Sequence, residues 1–130
     1  MENPKELKYT KTDEWVKLEG DLAIVGITNY AQEQLSDIVY VEFMAEEGDS
    51  VSKGDAVATV ESVKAAADVQ FPVSGTIAAV NEELVDAPET LNTDPYDTGW
   101  MMKLKFDDPA ELEDLLDAQA YDAYNEEREG

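Results

Sequence analysis

Apolar and polar positions alternate in short runs along most of this chain, and few stretches keep a helical period. Leu22-Ala23-Ile24-Val25-Gly26-Ile27 and Ile38-Val39-Tyr40-Val41-Glu42-Phe43 are rich in β-branched and aromatic residues and predict strands. Between them, Tyr30 to Leu35 follows the polar pair Thr28-Asn29 and predicts a short helix. Ala56 to Val60 and Val69-Gln70-Phe71 are shorter β-prone runs joined by small and polar residues, the pattern of a hairpin. Trp100 to Phe106 predicts a closing strand. From Glu82 to Tyr96 the apolar positions show little period and Pro88 and Pro95 interrupt them, so a wrapped loop is expected there. Asp108, Pro109 and Glu111 have the spacing of a capping box with proline in first position. With Leu112, Leu115 and Leu116 as an apolar face, they predict a C-terminal helix from about residue 109. The pattern is mainly β, with short helices and a helix at the C-terminal end.

The hairpin is the most informative of these elements. Val60-Glu61-Ser62-Val63-Lys64-Ala65-Ala66 places one lysine at its tip, and Gly48, Gly54 and Gly75 bracket it where chain reversals with positive φ are expected. A lysine on a hairpin is by itself an ordinary solvated side chain. A compact hairpin that presents a single lysine is also how biotin and lipoate are carried, because a modifying ligase needs an accessible amine on a rigid support. The strand pairs on either side of Lys64 are loosely alike, a weak internal repeat.

Composition narrows the chemistry. The chain has no cysteine and no histidine, which excludes disulfides, thiolate nucleophiles and the usual zinc sites. Asp49 and Gly54 have the offset of a calcium loop, but Val51, Lys53 and Val60 fall where oxygen ligands are required, so no metal is expected. At 130 residues the chain is read as a single domain, residues 1–130, with no linker inside it. No apolar run approaches the roughly 18 residues that span a bilayer, and no signal or transit segment is visible, so a cytoplasmic protein without membrane contact is expected. The net charge of −22, from 31 acidic and nine basic residues, argues against nucleic acid as a partner. It has two readings: steering towards basic docking faces, and adaptation to a high-salt cytoplasm, where repulsion is screened within about 3 Å at 1 M. We favour salt adaptation. With so many acids, chance carboxylate pairs are certain, and an intrinsic glycosidase-like activity is not expected.

Several segments in register resemble the H protein of the glycine cleavage system. They are Leu7 to Val16, Val25 to Gln32, Gly48-Asp49, Glu61-Ser62-Val63-Lys64-Ala65, Ser74-Gly75, Asn92 to Tyr96 and Gly99-Trp100. The resemblance runs from about residue 7 to about residue 124. It implies a flattened β-barrel or sandwich of the lipoyl-biotinyl carrier type and a non-catalytic carrier subunit with (R)-lipoate in amide linkage to Lys64. The implied partners are four. A pyridoxal-phosphate glycine decarboxylase (P protein) loads the arm, and a tetrahydrofolate-dependent aminomethyltransferase (T protein) unloads it. Dihydrolipoyl dehydrogenase (L protein) reoxidises it with NAD, and a lipoyl ligase or transferase attaches it. A monomer is expected, since the carrier must leave each partner in turn. One departure stands out: the family usually has a histidine before the Glu-Trp pair, and this chain has Asp13.

The implied mechanism asks little of the carrier's own side chains. Lys64 is a tether, and with a lipoyl chain it reaches on the order of 12 to 14 Å. An aminomethyl cargo is cationic at pH 7 and hydrolyses in water, so a carrier that folds its arm back against a carboxylate protects it. Glu14, beside Thr12, is the first candidate for that carboxylate and Asp68 the second; both match acidic family positions that line a cleft. Trp15 and Trp100 are expected in the core or at its rim. Two other readings stand beside it: an H-like protein that relays lipoyl groups or binds partners without glycine turnover, and the lipoyl or biotinyl domain of a larger enzyme. The segments outside the hairpin speak against the second.

Overall fold

The structure is a computed structural model and describes residues 2–129. Among the described residues nine strands form two antiparallel sheets. The larger contains β1 (Lys8–Tyr9), β2 (Glu14–Glu19), β3 (Leu22–Ile27), β5 (Ser50–Val51), β8 (Gly75–Val80) and β9 (Met102–Phe106), in the spatial order β1-β2-β3-β9-β8-β5. The smaller contains β4 (Ile38–Phe43), β6 (Ala56–Ser62) and β7 (Ala66–Gln70), with β6 in the middle. Helix α1 (Asn29–Leu35) links the sheets, and Thr28 caps it by accepting a hydrogen bond from the Ala31 amide at 3.2 Å.

The run Leu22 to Ile27 is apolar throughout because β3 has no solvent face. Ala23, Val25 and Ile27 enter the main core between the sheets, beside Val16, Val41, Val60, Phe71 and Leu104. Ile24 points the other way, into a second cluster with Leu7, Tyr9, Trp15 and Tyr121. Alternating strand residues face opposite sides, so a strand buried on both sides loses its polar positions. Gly26 lies under the Trp15 ring: a β-carbon there would stand 2.6 Å from the indole.

Gly48 and Gly54 turn the chain as the sequence predicts, both with φ of 93°. The two turns share one device. In each, an aspartate carboxylate accepts from the amide three residues back, Asp49 from Glu46 at 2.8 Å and Asp55 from Ser52 at 2.9 Å. The glycine amides then reach across to the carbonyls of Ile77 and Phe71. Gly75 differs from expectation. It opens β8 rather than a reversal, and it is required because a β-carbon would fall 2.2 Å from the Lys105 carbonyl oxygen.

Two further expectations are corrected. Residues 82–96 are not a plain loop: they contain the single-turn helices α2 (Glu83–Asp86) and α3 (Thr90–Thr93). Each buries only one large apolar side chain, Leu84 or Leu91, so no helical period is visible in the sequence. The C-terminal helix does not begin near residue 109. Pro109–Asp114 is a 3₁₀ segment capped by Asp108, whose carboxylate accepts from the Ala110 amide at 3.0 Å. Glu111 does not close a capping box, because its carboxylate instead takes the Ser74 amide (2.8 Å) and hydroxyl (2.9 Å). Leu116 and Tyr9 then exchange a pair of backbone hydrogen bonds, which holds the chain extended. Only after that does helix α4 (Ala118–Glu129) start, with Asp117 accepting from the Ala120 amide at 2.8 Å.

Candidate functional site

Lys64 stands at the tip of the β6–β7 hairpin and is exposed, as are its neighbours Val63 and Ala65. Ser62 shapes the tip. Its amide donates to the Ala65 carbonyl at 2.7 Å, and its hydroxyl oxygen accepts from the Ala65 amide at 3.0 Å and the Lys64 amide at 3.3 Å. A further bond, from the Val63 amide to the Asp37 carbonyl at 3.1 Å, ties the tip to the segment before β4. The lysine side chain is therefore exposed, while its backbone is held by the hydrogen bonds of the tip.

Three of the residues singled out in the sequence meet in one cleft of about 170 Å³ between β2, α1 and the β6–β7 hairpin. Thr12, Glu14 and Asp68 form its polar lining together with Asp13 and Gln34, and Ile27, Leu35, Val60 and Val69 are among its apolar walls. Ala67 and Asp68 follow Lys64 by three and four residues, a chain span of at most about 10 to 13 Å. That is close to the span of a lysine stem carrying a lipoyl chain.

Glu14 is only 2% exposed. Its carboxylate accepts from the Thr10 hydroxyl at 2.6 Å, from the Thr12 hydroxyl, and from the Gln70 amide at 3.3 Å. Burial pushes its pKa above the ordinary carboxylate range, and those three donors pull it part of the way back. All three donors are neutral, so the site offers hydrogen bonds to the carboxylate but no compensating cation. Asp68 is exposed and accepts from the Thr59 hydroxyl at 3.1 Å. It sits on the open side of the cleft.

Thr10 and Gln70 were not singled out from the sequence. Thr10 carries a readable signal, because Thr10, Thr12 and Glu14 recur at a spacing of two and such residues can share a face. Gln70 carries none, since its backbone amide is the donor. Trp15 is in the second cluster, with its indole N–H on the Pro95 carbonyl at 2.9 Å, and Trp100 is half-buried with Lys103 over its ring at 4.9 Å. Neither lines the cleft. Among the described residues no group of three or more acidic side chains is arranged to hold a metal ion. Among the described residues no helix is long and apolar enough to cross a membrane.

Comparisons with known proteins show the family. Residues 7–128 match the family described as glycine cleavage H-protein. A glycine cleavage system H protein of Thermotoga maritima is 57% identical over 117 residues, 90% of this chain and 94% of that protein. One from Anaeromyxobacter sp. (strain K) is 49% identical over 129 residues, 99% of this chain and all of that protein. The crystal structure of a glycine cleavage system H protein from Mycobacterium marinum superposes with a TM-score of 0.87 at 37% identity, covering 95% of this chain and 99% of that one. The chain belongs to the glycine cleavage H-protein family and is a carrier subunit of that system rather than an enzyme.

Proposed function

We propose that the chain is a single carrier domain that bears (R)-lipoate on Lys64 and shuttles the aminomethyl remnant of glycine between enzymes. The observation that carries this reading is the pairing of an exposed lysine on a backbone-fixed tip with a cleft one arm's length away. The cleft's chemistry fits the group. Apolar walls suit a hydrocarbon arm, and a buried carboxylate with no cation of its own suits a positively charged end. When bound, lipoate supplies the dithiolane that accepts and releases the cargo and is reoxidised.

Everything else falls to side chains of this chain. Glu14 accepts the ammonium end of the cargo, Thr12 and Thr10 orient the carboxylate, and Asp68 adds a second negative group at the mouth. Ile27, Leu35, Val60 and Val69 exclude water from the seated cargo. A raised pKa works in this direction, because an approaching cation stabilises the ionised form that burial disfavours.

The enzymes served are the glycine decarboxylase, the aminomethyltransferase and dihydrolipoyl dehydrogenase, with a lipoyl ligase or transferase attaching the arm. We place this carrier in the cytoplasm as a monomer that dissociates between partners. The intact mass of protein isolated from its own host tests the tether. An increment of about 188 Da is expected in the wild type and none in Lys64→Arg. An increment that survives the substitution, or none in the wild type, overturns the assignment.

A further inference from the structure

Asp13 occupies the position between the two cleft residues Thr12 and Glu14, and it is held in the left-handed region with φ of 72°. Few side chains tolerate that conformation, and aspartate is one of them. Its backbone is tied on both sides: its amide donates to the Thr10 carbonyl at 3.2 Å, and its carbonyl accepts from the Thr28 amide at 3.0 Å. Asp13 borders the cleft as well, but its carboxylate is engaged by helix α4. There it accepts from the Tyr121 hydroxyl at 2.6 Å and takes both terminal nitrogens of Arg128, one of them at 3.2 Å.

Arg128 is the sole arginine of a chain that has only nine basic residues. It is not displayed to solvent: the side chains of Arg128 and Asp13 are 22% and 19% exposed. The guanidinium lies over the Tyr30 ring at 3.7 Å and the Tyr124 ring at 4.5 Å, and it also donates to the Asn125 side chain. Tyr121 continues the network, with its hydroxyl 2.7 Å from that of Thr28, the cap of α1, and its ring stacked on Tyr9 at 4.7 Å. The end of α4 thus grips the 10–14 turn and the start of α1 together. Those two segments form one side of the cleft.

We propose that Asp13 and Arg128 are positioning residues, a clasp by which the C-terminal helix holds the 10–14 turn so that Thr10 and Thr12 stay aimed at Glu14. The left-handed φ at residue 13 sets the direction of both flanking peptides. If it relaxes, Thr12 and Glu14 turn with it, and the hydroxyl donors that prepare the carboxylate for a cationic cargo are lost. The pair answers the departure noted in the sequence: where the family usually carries a histidine, this chain has an aspartate whose partner lies 115 residues further on. The inference rests on the reading that the cleft seats the loaded arm.

The test compares Arg128→Gln, Arg128→Lys and Asp13→Asn with the wild type. Asp13→Asn keeps a side chain that tolerates positive φ and removes the charge, so the test stands even if an Arg128 variant folds poorly. In unmodified protein, amide hydrogen exchange of Asp13, Thr28 and Gln70 is expected to quicken roughly three- to tenfold in Arg128→Gln and Asp13→Asn, with the β8–β9 amides unchanged. A merely structural role would quicken exchange everywhere. Arg128→Lys restores the charge without the fork or the stacking and is expected between the two. In the lipoylated, aminomethylated protein, ammonia is lost correspondingly faster. Wild-type exchange at Gln70 and wild-type ammonia loss in folded variants overturn the clasp. Glu14→Gln separates the two readings. If it speeds ammonia loss while the clasp variants do not, the clasp alone fails; if it does not, the cleft reading fails and the clasp falls with it.

Discussion

Glu14 is a carboxylate that the chain buries and then surrounds with neutral donors, and its titration follows from that. Because burial raises its pKa in the folded state, the native protein still holds the Glu14 proton at pH values where the unfolded chain has released it. Its contribution to stability is therefore present below the unfolded value, which is 4.5, and is lost as pH rises through the raised folded value. In unmodified protein, the Tm of the wild type minus that of Glu14→Gln is expected to fall by a few degrees as pH rises from about 4.5 to about 8. A flat difference across that range would mean that the carboxylate is solvated in the folded state. If the cleft seats a loaded arm, as proposed, the direction reverses for the loaded carrier. Only ionised Glu14 pairs with a cation, so acidification through the raised pKa is expected to speed ammonia loss from the cleft. The glutamate's identity as a candidate was legible in the sequence through its neighbours and the resemblance. Its burial and its Gln70 partner were not, because both depend on where the hairpin packs.

At the scale of elements, the hairpin and the strand beside it show which local signals survive folding. The β6–β7 hairpin is where the apolar runs and the small connecting residues place it, since a tight connection between two β-prone runs is a local property. Gly75 was also visible as a special position, but its reason is not local. It is needed because β8 meets the Lys105 backbone at a distance that leaves no room for a β-carbon. Gly75→Ala is expected to push β8 from β9 and destabilise the protein by about 3 kcal/mol, lowering Tm on the order of 10 °C. Gly48→Ala, at a turn with open space around the missing β-carbon, bears only the strain of its positive φ and is expected to be the milder change. Thermal unfolding of the two variants checks the ranking, and equal losses would sink the argument from close approach. The C-terminal region is the counterexample. Asp108, Pro109 and Glu111 carry a helix-start signal, yet Glu111 is drawn to Ser74 and Leu116 to Tyr9, and these long-range bonds hold back a regular helix until Ala118.

For the whole molecule the dominant quantity is a net charge of −22 on 130 residues. The described ion pairs relieve little of it. Lys17–Glu19, Lys53–Asp114 and Lys105–Asp21 are exposed, and only Asp13–Arg128 is largely enclosed. Such exposed pairs contribute about 0 to 1 kcal/mol each, so self-repulsion is met mainly by screening. We propose that this surface is adapted to high salt, and Tm is expected to rise between low salt and molar KCl. A Tm that stays level or falls would favour steering towards basic partner faces, which salt should weaken without changing stability.

The sequence by itself determined the mainly β pattern, the lysine at a hairpin tip, the absence of thiol and imidazole chemistry and the acidic surface. Each of these depends on residues close together in the chain or on composition alone. The resemblance pointed to Thr12, Glu14 and Asp68 as a cleft, but only the tertiary structure decided that Glu14 is buried there and that Gln70 and Thr10 serve the carboxylate. The tertiary structure alone paired Asp13 with Arg128, and divided β3 between two cores. Those outcomes depend on packing between segments far apart in sequence, where the two-residue period of a strand tells which side a residue faces but not what stands opposite it.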